Sequence, residues 1–470
     1  MRRRLRILYV AAECDTYAKV GGLADVSYGL PNALSLSFDK IDIRRVMPLY
    51  RDVPYNLKYK YDYSVPMGDR FQSCIVKTDP SGKNVPTYFI GNHWYFNRDN
   101  IYNYYDDGER FLFFCKAVVE MLKYIPFKPD IIYLNDWHTG FIPLLLKWSN
   151  LDIKTIFTIH NLKYQGSISD DYVKDYSPNE EDLINIGYPD TLNFMKAGIL
   201  YSDYITTVSK NYREEILTSE FGEGMDKLLS EKGMKFKGIL NGIDTKKYNP
   251  LNSNEIKIPY SIDTIEDKKE NKHLLQEELN LPISDVPLIA SITRINSEKG
   301  IDLIINALEN MDKSKFQFVL LGTGNMYYEK ILEGIQQKYP NSVSVNIGFD
   351  SPLAKRIYAG SDMFVMPSSY EAGGLAAVYA MRYGTIPIVH NTGGLKDTVI
   401  DFNESPTKSN GFLFNNFTNE NFIQALEQAI LLYNTDTWKS MIKNAMKADW
   451  SWDRVIPEYI EIFKELIPQY

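Results

Sequence analysis

The chain has few cysteines, no long apolar run and no strong excess of one charge. Its three cysteines, Cys14, Cys74 and Cys115, form no CxxC or zinc-ligand spacing, which is typical of a protein made in a reducing compartment. No apolar stretch is long enough to span a bilayer. The apolar run after the basic N-terminus reaches Glu13 at once, which indicates a buried strand and not a signal peptide. We therefore expect a cytoplasmic protein.

The charge balance excludes several classes of partner. There are 52 Lys and Arg against 60 Asp and Glu, a net charge of −8, and no extended basic block. Nucleic acid and anionic membrane are therefore not expected as partners, and a phosphate-bearing substrate would have to be met by a few local cations. A length of 470 residues with 44% hydrophobic content predicts two domains.

Residues 358–399 read as two consecutive units of strand, turn and helix. Their turns carry the glycine pairs Gly373-Gly374, before a helix that begins at Leu375, and Gly393-Gly394. Without Cβ atoms, such turns let N–H groups and the positive end of a helix approach an anion. Glu371 would be out of place in a pure phosphate site and suits a neutral polyhydroxyl group. The combination predicts a nucleotide-sugar site, with two ordinary tight turns as the alternative.

A third glycine pair follows the first strand, Leu5–Ala11. Gly21 and Gly22 lie in a turn before a helix, with Lys19 as a nearby cation and Asp25 in the first helical turn. This turn could admit a pyrophosphate or a sugar. The alternative is an ordinary helix cap.

Polar residues follow two further apolar strands at the point where each strand ends. Asp136 and His138 come after Ile131–Leu134, and His160 comes after Thr155–Ile159. Ligands of doubly wound α/β domains bind beyond the carboxyl ends of the strands, so we expect these three side chains to converge. Histidines satisfied by packing are the alternative. No pair among these three residues has the i, i+4 spacing of a helical zinc site, so we predict no metal.

The second half of the chain opens in the same way. The strand Pro287–Ile292 leads to Arg294 and, after a loop, to Lys299 at the head of a helix. A planar guanidinium and an ammonium together suit a diphosphate, although two solvated surface cations would look the same in sequence. Phe349, on a turn after the strand Val343–Ile347, could stack on a purine.

Strands that alternate with helices in both halves predict an α/β fold with two Rossmann-like domains facing across a deep cleft. The turn Asn241-Gly242 and the polar sequence that follows it mark the boundary. We expect an N-terminal domain over residues 1–245 and a C-terminal domain over residues 246–452. Aromatic rings also crowd residues 93–105, where they could stack on sugars or pack in the core.

Several motifs together resemble the bacterial-type glycogen synthases and starch synthases, nearly from end to end. They are Lys19-Val-Gly-Gly-Leu-Ala-Asp-Val26, Asn135-Asp-Trp-His-Thr-Gly140, His160-Asn-Leu-Lys-Tyr-Gln-Gly166, Asn241-Gly-Ile-Asp244, Glu298-Lys-Gly300 and the block 358–399. The family consists of retaining glucosyltransferases with the GT-B architecture. The resemblance implies a glucan acceptor in the N-terminal domain, a nucleotide-sugar donor in the C-terminal domain, and a last helix, residues 453–470, that crosses back to the first domain.

The resemblance also implies roles for individual residues. The catalytic set is Lys19, His160, Arg294, Lys299 and Glu371. The donor contacts are Lys19, Gly22, Asn241, Arg294, Lys299, Phe349, Gly373, Gly374, Leu375 and Tyr379. The acceptor contacts are Asp25, Tyr95, Asp136 and His138. Tyr379 takes the position at which many transferases of this fold carry a second Glu, which favours the glycogen and starch synthase branch.

The chain departs from the family pattern at two places, Ala372-Gly373 and His390-Asn391. Neither change removes a catalytic group that the family requires. We therefore expect transfer of glucose from ADP-glucose to the nonreducing end of an α-1,4-glucan, with retention at the anomeric carbon and without a cofactor. The alternatives are a transferase of the same fold with UDP-glucose or another acceptor, and a noncatalytic glucan-binding protein.

Overall fold

The computed structural model describes residues 4–37, 40–53, 56–80, 85–187 and 189–469. The chain divides into two compact units. Unit 1 is Met1–Gly242 together with Trp452–Tyr470, and unit 2 is Ile243–Ser451. Among the helices of the described ranges, none is both long enough and apolar enough to cross a membrane.

Unit 1 is built around a nine-stranded sheet. The strands of the unit are β1 Leu5–Val10, β2 Ile41–Pro48, β3 Lys58–Met67, β4 Arg70–Thr78, β5 Thr87–Gly91, β6 Ile131–Asn135, β7 Lys154–Ile159, β8 Ser167–Ile168, β9 Leu192–Asn193, β10 Tyr204–Thr207 and β11 Phe236–Gly238. Its first helices are α1 Gly22–Ser37, α2 His93–Phe96, α3 Asp107–Met121, α4 Ile142–Trp148, α5 Glu180–Asn185, α6 Phe194–Tyr201, α7 Lys210–Ile216 and α8 Asp226–Glu231. The pair β8-β9 stands apart from the large sheet.

The strand order of the large sheet is β11-β10-β7-β6-β1-β2-β5-β4-β3. Pairing is parallel from β11 to β5 and antiparallel between β5, β4 and β3. The central strands β1, β6 and β7 are buried almost throughout, as expected for parallel strands covered on both faces. The carboxyl ends of β1, β6 and β7 therefore lie side by side at one edge of the sheet.

Unit 2 contains a six-stranded parallel sheet in the order β14-β13-β12-β15-β16-β17. Its strands are β12 Leu288–Ile292, β13 Gln317–Gly322, β14 Val343–Ile347, β15 Met363–Met366, β16 Ile386–His390 and β17 Phe412–Phe414. Its helices are α9 Lys268–Glu278, α10 Ile301–Asn310, α11 Met326–Lys338, α12 Ser351–Gly360, α13 Leu375–Arg382, α14 Gly393–Thr398, α15 Asn419–Leu432 and α16 Asp436–Lys447. Strands and helices alternate along the chain, so unit 2, like unit 1, has the doubly wound arrangement of a Rossmann-like domain.

The last helix, α17 Trp452–Leu466, belongs to unit 1. Trp452 packs where two glycines leave room for it. A Cβ atom on Gly29 of α1 would lie 2.2 Å from Nε1 of Trp452, and one on Gly242 would lie 2.7 Å from the Trp452 backbone. At such distances a side chain does not fit at Gly29 or Gly242, so both glycines are required for α17 to pack in this place.

Candidate active site

The loop after β1 is held by a buried carboxylate, that of Glu13, which is 4% exposed. Its Oε2 accepts the N–H groups of Val20 at 2.6 Å and Gly21 at 3.0 Å, and its Oε1 accepts the Tyr102 hydroxyl at 2.7 Å. Burial raises the pKa of Glu13, and these hydrogen bonds act in the opposite direction. The N–H of Gly21 is therefore already bonded, so it is not open to an anion as the sequence suggested. Gly22 is exposed at the first position of α1.

Lys19 and Asp25, expected on the donor and acceptor sides respectively, contact each other. The Lys19 ammonium lies 2.7 Å from both carboxylate oxygens of Asp25, and 3.8 Å from Asp15. Both side chains of the Lys19–Asp25 pair are mostly shielded from solvent. Asp25 therefore orients Lys19 in this structure.

Asp136, directly after β6, has a strained backbone. Its φ is +56° and its ψ is 177°, a combination that is rare for any residue other than glycine and that persists where the surroundings enforce it. Asp136 is held by the turn after β7, because its Oδ1 accepts the N–H groups of His160 at 2.7 Å and Asn161 at 3.2 Å. Burial raises the pKa of Asp136 to about 7, and the charge of Glu13 adds to that rise. Strain of this kind is concentrated at functional sites.

The two histidines expected beside Asp136 are both present at this edge, which confirms their convergence. Burial lowers the pKa of each to about 3, so both imidazoles are neutral at pH 7. His138 stacks on Tyr102, with ring centroids 4.8 Å apart, and its Nδ1 has no hydrogen-bond partner among the residues that the structure describes. The backbone N–H of His160 donates to the Asp136 carboxylate. The ring Nε2 of His160 lies 2.9 Å from Oδ1 of Asn135.

Asn135 is a site residue to which sequence reasoning gave no role. Its side chain is fully buried; Oδ1 accepts the Tyr9 hydroxyl at 3.0 Å, and Nδ2 donates to the Val10 carbonyl at 2.9 Å. Since Oδ1 also faces His160, Asn135 connects the ends of β1 and β7. The signal in the sequence was its place at the end of a buried strand, before Asp136.

Tyr95, expected as an acceptor contact, is a packing residue here. It is 0% exposed, and its hydroxyl bonds to Glu109. Its ring packs on those of Phe96 and Phe113. We therefore leave Tyr95 out of the proposed acceptor site. Asn241, expected on the donor side, lies in unit 1 and is 6% exposed.

In unit 2, Lys299 and Glu371 form a close ion pair. The Lys299 ammonium lies 2.5 Å from Oε2 of Glu371, which also accepts the Ser368 hydroxyl at 3.2 Å. Each side chain of the pair is 14% exposed. The two residues follow β12 and β15, which are adjacent in the sheet, so the fold brings together groups 72 positions apart.

The turns that carry Lys299 and Glu371 are fastened to each other through the backbone. The Ser369 N–H donates to the Glu298 carbonyl at 2.9 Å. Gly300 has φ +70°, and a Cβ there would lie 2.0 Å from the Pro367 carbonyl oxygen. The glycine of Glu298-Lys299-Gly300 thus allows the close approach that sets the ion pair.

The two glycine pairs of residues 358–399 pack against each other. The Gly394 N–H donates to the carbonyls of Glu371 at 3.0 Å and Ala372 at 3.1 Å. A Cβ on Gly393 would lie 1.9 Å from the Glu371 carbonyl oxygen, and one on Gly394 would lie 2.5 Å from that of Gly373. Both glycines therefore allow close packing, and the Gly394 N–H, being bonded to the turn of Glu371, does not face an anion, contrary to the expectation. α13 begins at Leu375, directly after Gly373 and Gly374, and Gly374 caps it at φ +65°.

The remaining donor-side residues divide by exposure. Arg294 is exposed just beyond β12, and Phe349 is 70% exposed just beyond β14. Tyr379 is 7% exposed and stacks on Tyr248, with ring centroids 3.7 Å apart. This is the position of a packing residue, so we leave Tyr379 out of the proposed donor site. Within the described ranges, no group of three or more His, Cys, Asp or Glu is arranged to hold a metal ion.

Two Rossmann-like units with polar and charged side chains at the carboxyl ends of their strands have the architecture of the GT-B fold. Two solved proteins share the fold. The sucrose-phosphate synthase of Thermosynechococcus elongatus has a TM-score of 0.65 and 19% identity, over 99% of this chain and 100% of its own. A glycosyltransferase of Rickettsia africae has a TM-score of 0.58 and 16% identity, over 99% of each chain. These likenesses concern the fold alone.

Closer comparisons narrow the class. The family model described as starch synthase catalytic domain matches residues 6–231, and that of glycosyl transferases group 1 matches residues 276–448. The glycogen synthase of Clostridium botulinum strain Alaska E43 is 43% identical over 98% of this chain and 99% of its own. The glycogen synthase of Lactobacillus acidophilus is also 43% identical, over 98% of this chain and 100% of its own.

A solved structure agrees with these relatives. The catalytic domain of starch synthase IV from Arabidopsis thaliana, bound to ADP and acarbose, has a TM-score of 0.92 and 32% identity, over 99% of this chain and 100% of its own. The chain therefore belongs to the glycogen and starch synthase family. Its function is that of a glycogen or starch synthase, a glucosyltransferase.

Proposed function

We propose that this protein transfers glucose from ADP-glucose to the nonreducing end of an α-1,4-glucan and retains the anomeric configuration. The observation that carries the proposal is the Lys299–Glu371 pair at the carboxyl edge of the unit 2 sheet. An ammonium for a diphosphate and a carboxylate for sugar hydroxyls stand together there. The starch synthase IV domain, 32% identical, was solved with ADP, which supports an adenine nucleotide in the donor.

In the proposed reaction, the bond from the anomeric carbon to the diphosphate breaks as a bond to the acceptor oxygen forms. The departing diphosphate gains negative charge and takes up the acceptor proton. Arg294 and Lys299 of unit 2, with Lys19 of unit 1, are the proposed cations for this charge. Preorganised charge in a site that excludes water lowers a barrier by several kcal/mol. The exposed ring of Phe349 is the proposed stacking surface for adenine.

Retention can follow a double displacement through a carboxylate nucleophile or an attack on the face from which the diphosphate leaves. Glu371 is the candidate nucleophile in unit 2, but its Oε2 already accepts from Lys299 and Ser368. This arrangement suits a fixed acceptor for glucose hydroxyls better than a nucleophile. We therefore favour the front-face route, without a covalent glucosyl-enzyme intermediate.

On the acceptor side, the proposed residues are Asp136 and His138, with His160 beside them. Asp136 holds the backbone of His160. The Nε2 of His160 donates to Asn135, so its neutral ring keeps Nδ1 as an acceptor for a sugar hydroxyl. Asp25 orients Lys19 and is the less direct candidate.

The test is a donor comparison with the purified protein. Glycogen or maltohexaose is incubated with ADP-glucose, UDP-glucose or GDP-glucose, and nucleotide release and chain elongation are followed together. We expect ADP release with elongation, and new α-1,4 linkages by NMR. Faster turnover with UDP-glucose would overturn the donor assignment. Glycogen binding without nucleotide release from any donor would indicate a noncatalytic glucan-binding protein and overturn the proposed activity.

A further inference from the structure

Glu13 is a buried acidic residue that has no role in the reaction as proposed. It lies three residues beyond β1, and its two carboxylate oxygens accept three hydrogen bonds, from Val20, Gly21 and Tyr102. Burial of a carboxylate is costly unless its oxygens are bonded, and bonds from N–H groups to a carboxylate are stronger than bonds to a neutral acceptor. The chain therefore retains a costly group at this point, and the bonds indicate its purpose.

Two of these bonds fix the backbone directly after Lys19. Val20 and Gly21 are held by Glu13, and α1 begins at the next residue, Gly22. The Lys19 side chain is in turn held by Asp25 in the first turn of that helix. The position of the Lys19 ammonium thus depends on a short loop fastened at one point by Glu13 and at the other by the helix.

The third bond leads to the acceptor side of the same unit. Tyr102, which donates to Oε1 of Glu13, stacks on His138. His138 lies two residues after the strained Asp136. A continuous series of bonded and stacked groups therefore connects the Lys19 loop with the turn at the end of β6.

We propose that Glu13 is a positioning residue, which sets the Lys19 loop through its hydrogen bonds to Val20 and Gly21 and is itself held by Tyr102. This proposal rests on the proposed role of Lys19 as a diphosphate contact. Glu13 touches no substrate in it. Its effect on the reaction passes through Lys19.

The primary test compares Glu13→Ala with Glu13→Gln. Alanine removes all three bonds, and we expect kcat/KM for the donor to fall about 10- to 100-fold, the scale of a displacement of about 1 Å in a site. Glutamine keeps an oxygen for the two N–H groups and an NH2 for the Tyr102 oxygen, so it should recover activity to within about fivefold of wild type. Glu220→Ala, an exposed position in the same unit, is the control and should match wild type. A glutamine variant as inactive as the alanine variant would overturn the proposal, because the charge would then be what matters.

A double-mutant cycle with Lys19→Ala tests the route of the effect. If Glu13 acts through Lys19, Glu13→Ala changes activity less than twofold when Lys19 is already Ala. Losses that multiply in the double variant would overturn the proposal, as would a Lys19→Ala variant with wild-type activity.

Two measures keep the result decisive. If Glu13→Ala does not fold, Tyr102→Phe replaces it in the cycle; it removes one of the three bonds and keeps both the carboxylate and the ring that stacks on His138. The wild-type donor assay reports separately on the proposed function. If wild type prefers another nucleoside diphosphate glucose, the cycle is run with that donor, and if it turns over none, the cycle is run on ADP affinity. A multiplicative result in any of these forms overturns the role of Glu13.

Discussion

The glycine pairs Gly21-Gly22 of unit 1 and Gly393-Gly394 of unit 2 look alike in sequence and differ in physical purpose. No atom of the described ranges beyond its chain neighbours lies within 4 Å of the Cβ position of Gly21, and the side-chain carboxylate of Glu13 holds its loop. In unit 2, backbone carbonyl oxygens lie 1.9 Å and 2.5 Å from the Cβ positions of Gly393 and Gly394. Gly21 leaves open space at the surface, whereas the second pair allows two turns to pack together. The atoms around the missing Cβ thus distinguish a candidate ligand loop from a packing contact.

The largest effect should come from Gly393→Ala, because both the space and the backbone oppose a side chain. The new Cβ would meet the Glu371 carbonyl, and the position has φ +46°. We expect a loss of several kcal/mol in the free energy of unfolding, measured by urea denaturation, together with loss of activity. Gly334→Ala, in α11 with nothing within 4 Å, is the control and should be neutral or stabilising. An active, stable Gly393→Ala protein would remove the distinction between the two glycine pairs.

The lysines of the two units are held differently as well. Lys19 is paired within its own loop and helix, whereas Lys299 joins two turns of adjacent strands. We predict that Lys299→Ala lowers kcat/KM about 100-fold or more, as expected when a group that stabilises developing charge is lost. The protein should still fold, since Glu371 keeps its bond from Ser368. Lys330→Ala, at an exposed position of unit 2, is the control; turnover of Lys299→Ala at the wild-type rate would exclude Lys299 from the mechanism.

Asp136 is a buried carboxyl group of unit 1, so its contribution to the free energy of unfolding should vary with pH. The Asp136→Asn variant should lack this pH dependence. The folded state binds the Asp136 proton more tightly than the unfolded chain, because burial raises its pKa to about 7. This contribution to stability is complete below about pH 4 and is lost as the pH rises through 7. The free energy of unfolding of wild type, relative to Asp136→Asn, should therefore fall by about 1.4 kcal/mol per pH unit between pH 5 and 6, and less steeply as the pH approaches 7. Urea denaturation at pH 5, 6, 7 and 8 measures this difference, and parallel profiles would contradict it.

The smallest effect is expected for Gly21→Ala, the counterpart of the first variant. Its Cβ would enter open space, and its N–H would still donate to Glu13. The free energy of unfolding should change by less than about 1 kcal/mol, because the only general cost or gain is in the entropy of the unfolded chain. A loss as large as that of Gly393→Ala would show that open space around a glycine does not predict tolerance.

The buried parallel strands could be predicted well from sequence. The strands β1, β6, β7 and β12 differ from their predicted bounds by only one residue at one end, because short apolar runs bounded by polar residues or glycine are typical of strands covered on both faces. The strand β14 Val343–Ile347 has the predicted bounds. Polar residues at strand ends were equally informative: the turns that carry Asp136 and His160 do meet. Sequence periodicity and strand order suffice for this much.

The partners of individual groups could not be predicted, because they depend on contacts between distant parts of the chain. Glu13 and Tyr102 are 89 positions apart, and no local pattern connects them. Burial was equally hidden for Tyr95 and Tyr379, since an aromatic residue beside a site can face the ligand or the core. The sequence likewise did not indicate which glycine pair faces open space.

Unit 1 is discontinuous in sequence, since α17 is separated from the rest of the unit by the whole of unit 2. α17 makes two kinds of contact within unit 1: Trp452 packs on Gly29 and Gly242, and Tyr459 packs on Tyr133. These contacts can therefore form only after the residues of unit 2, about two hundred, have been synthesised. Loss of this last helix would damage the beginning of the chain and not its end.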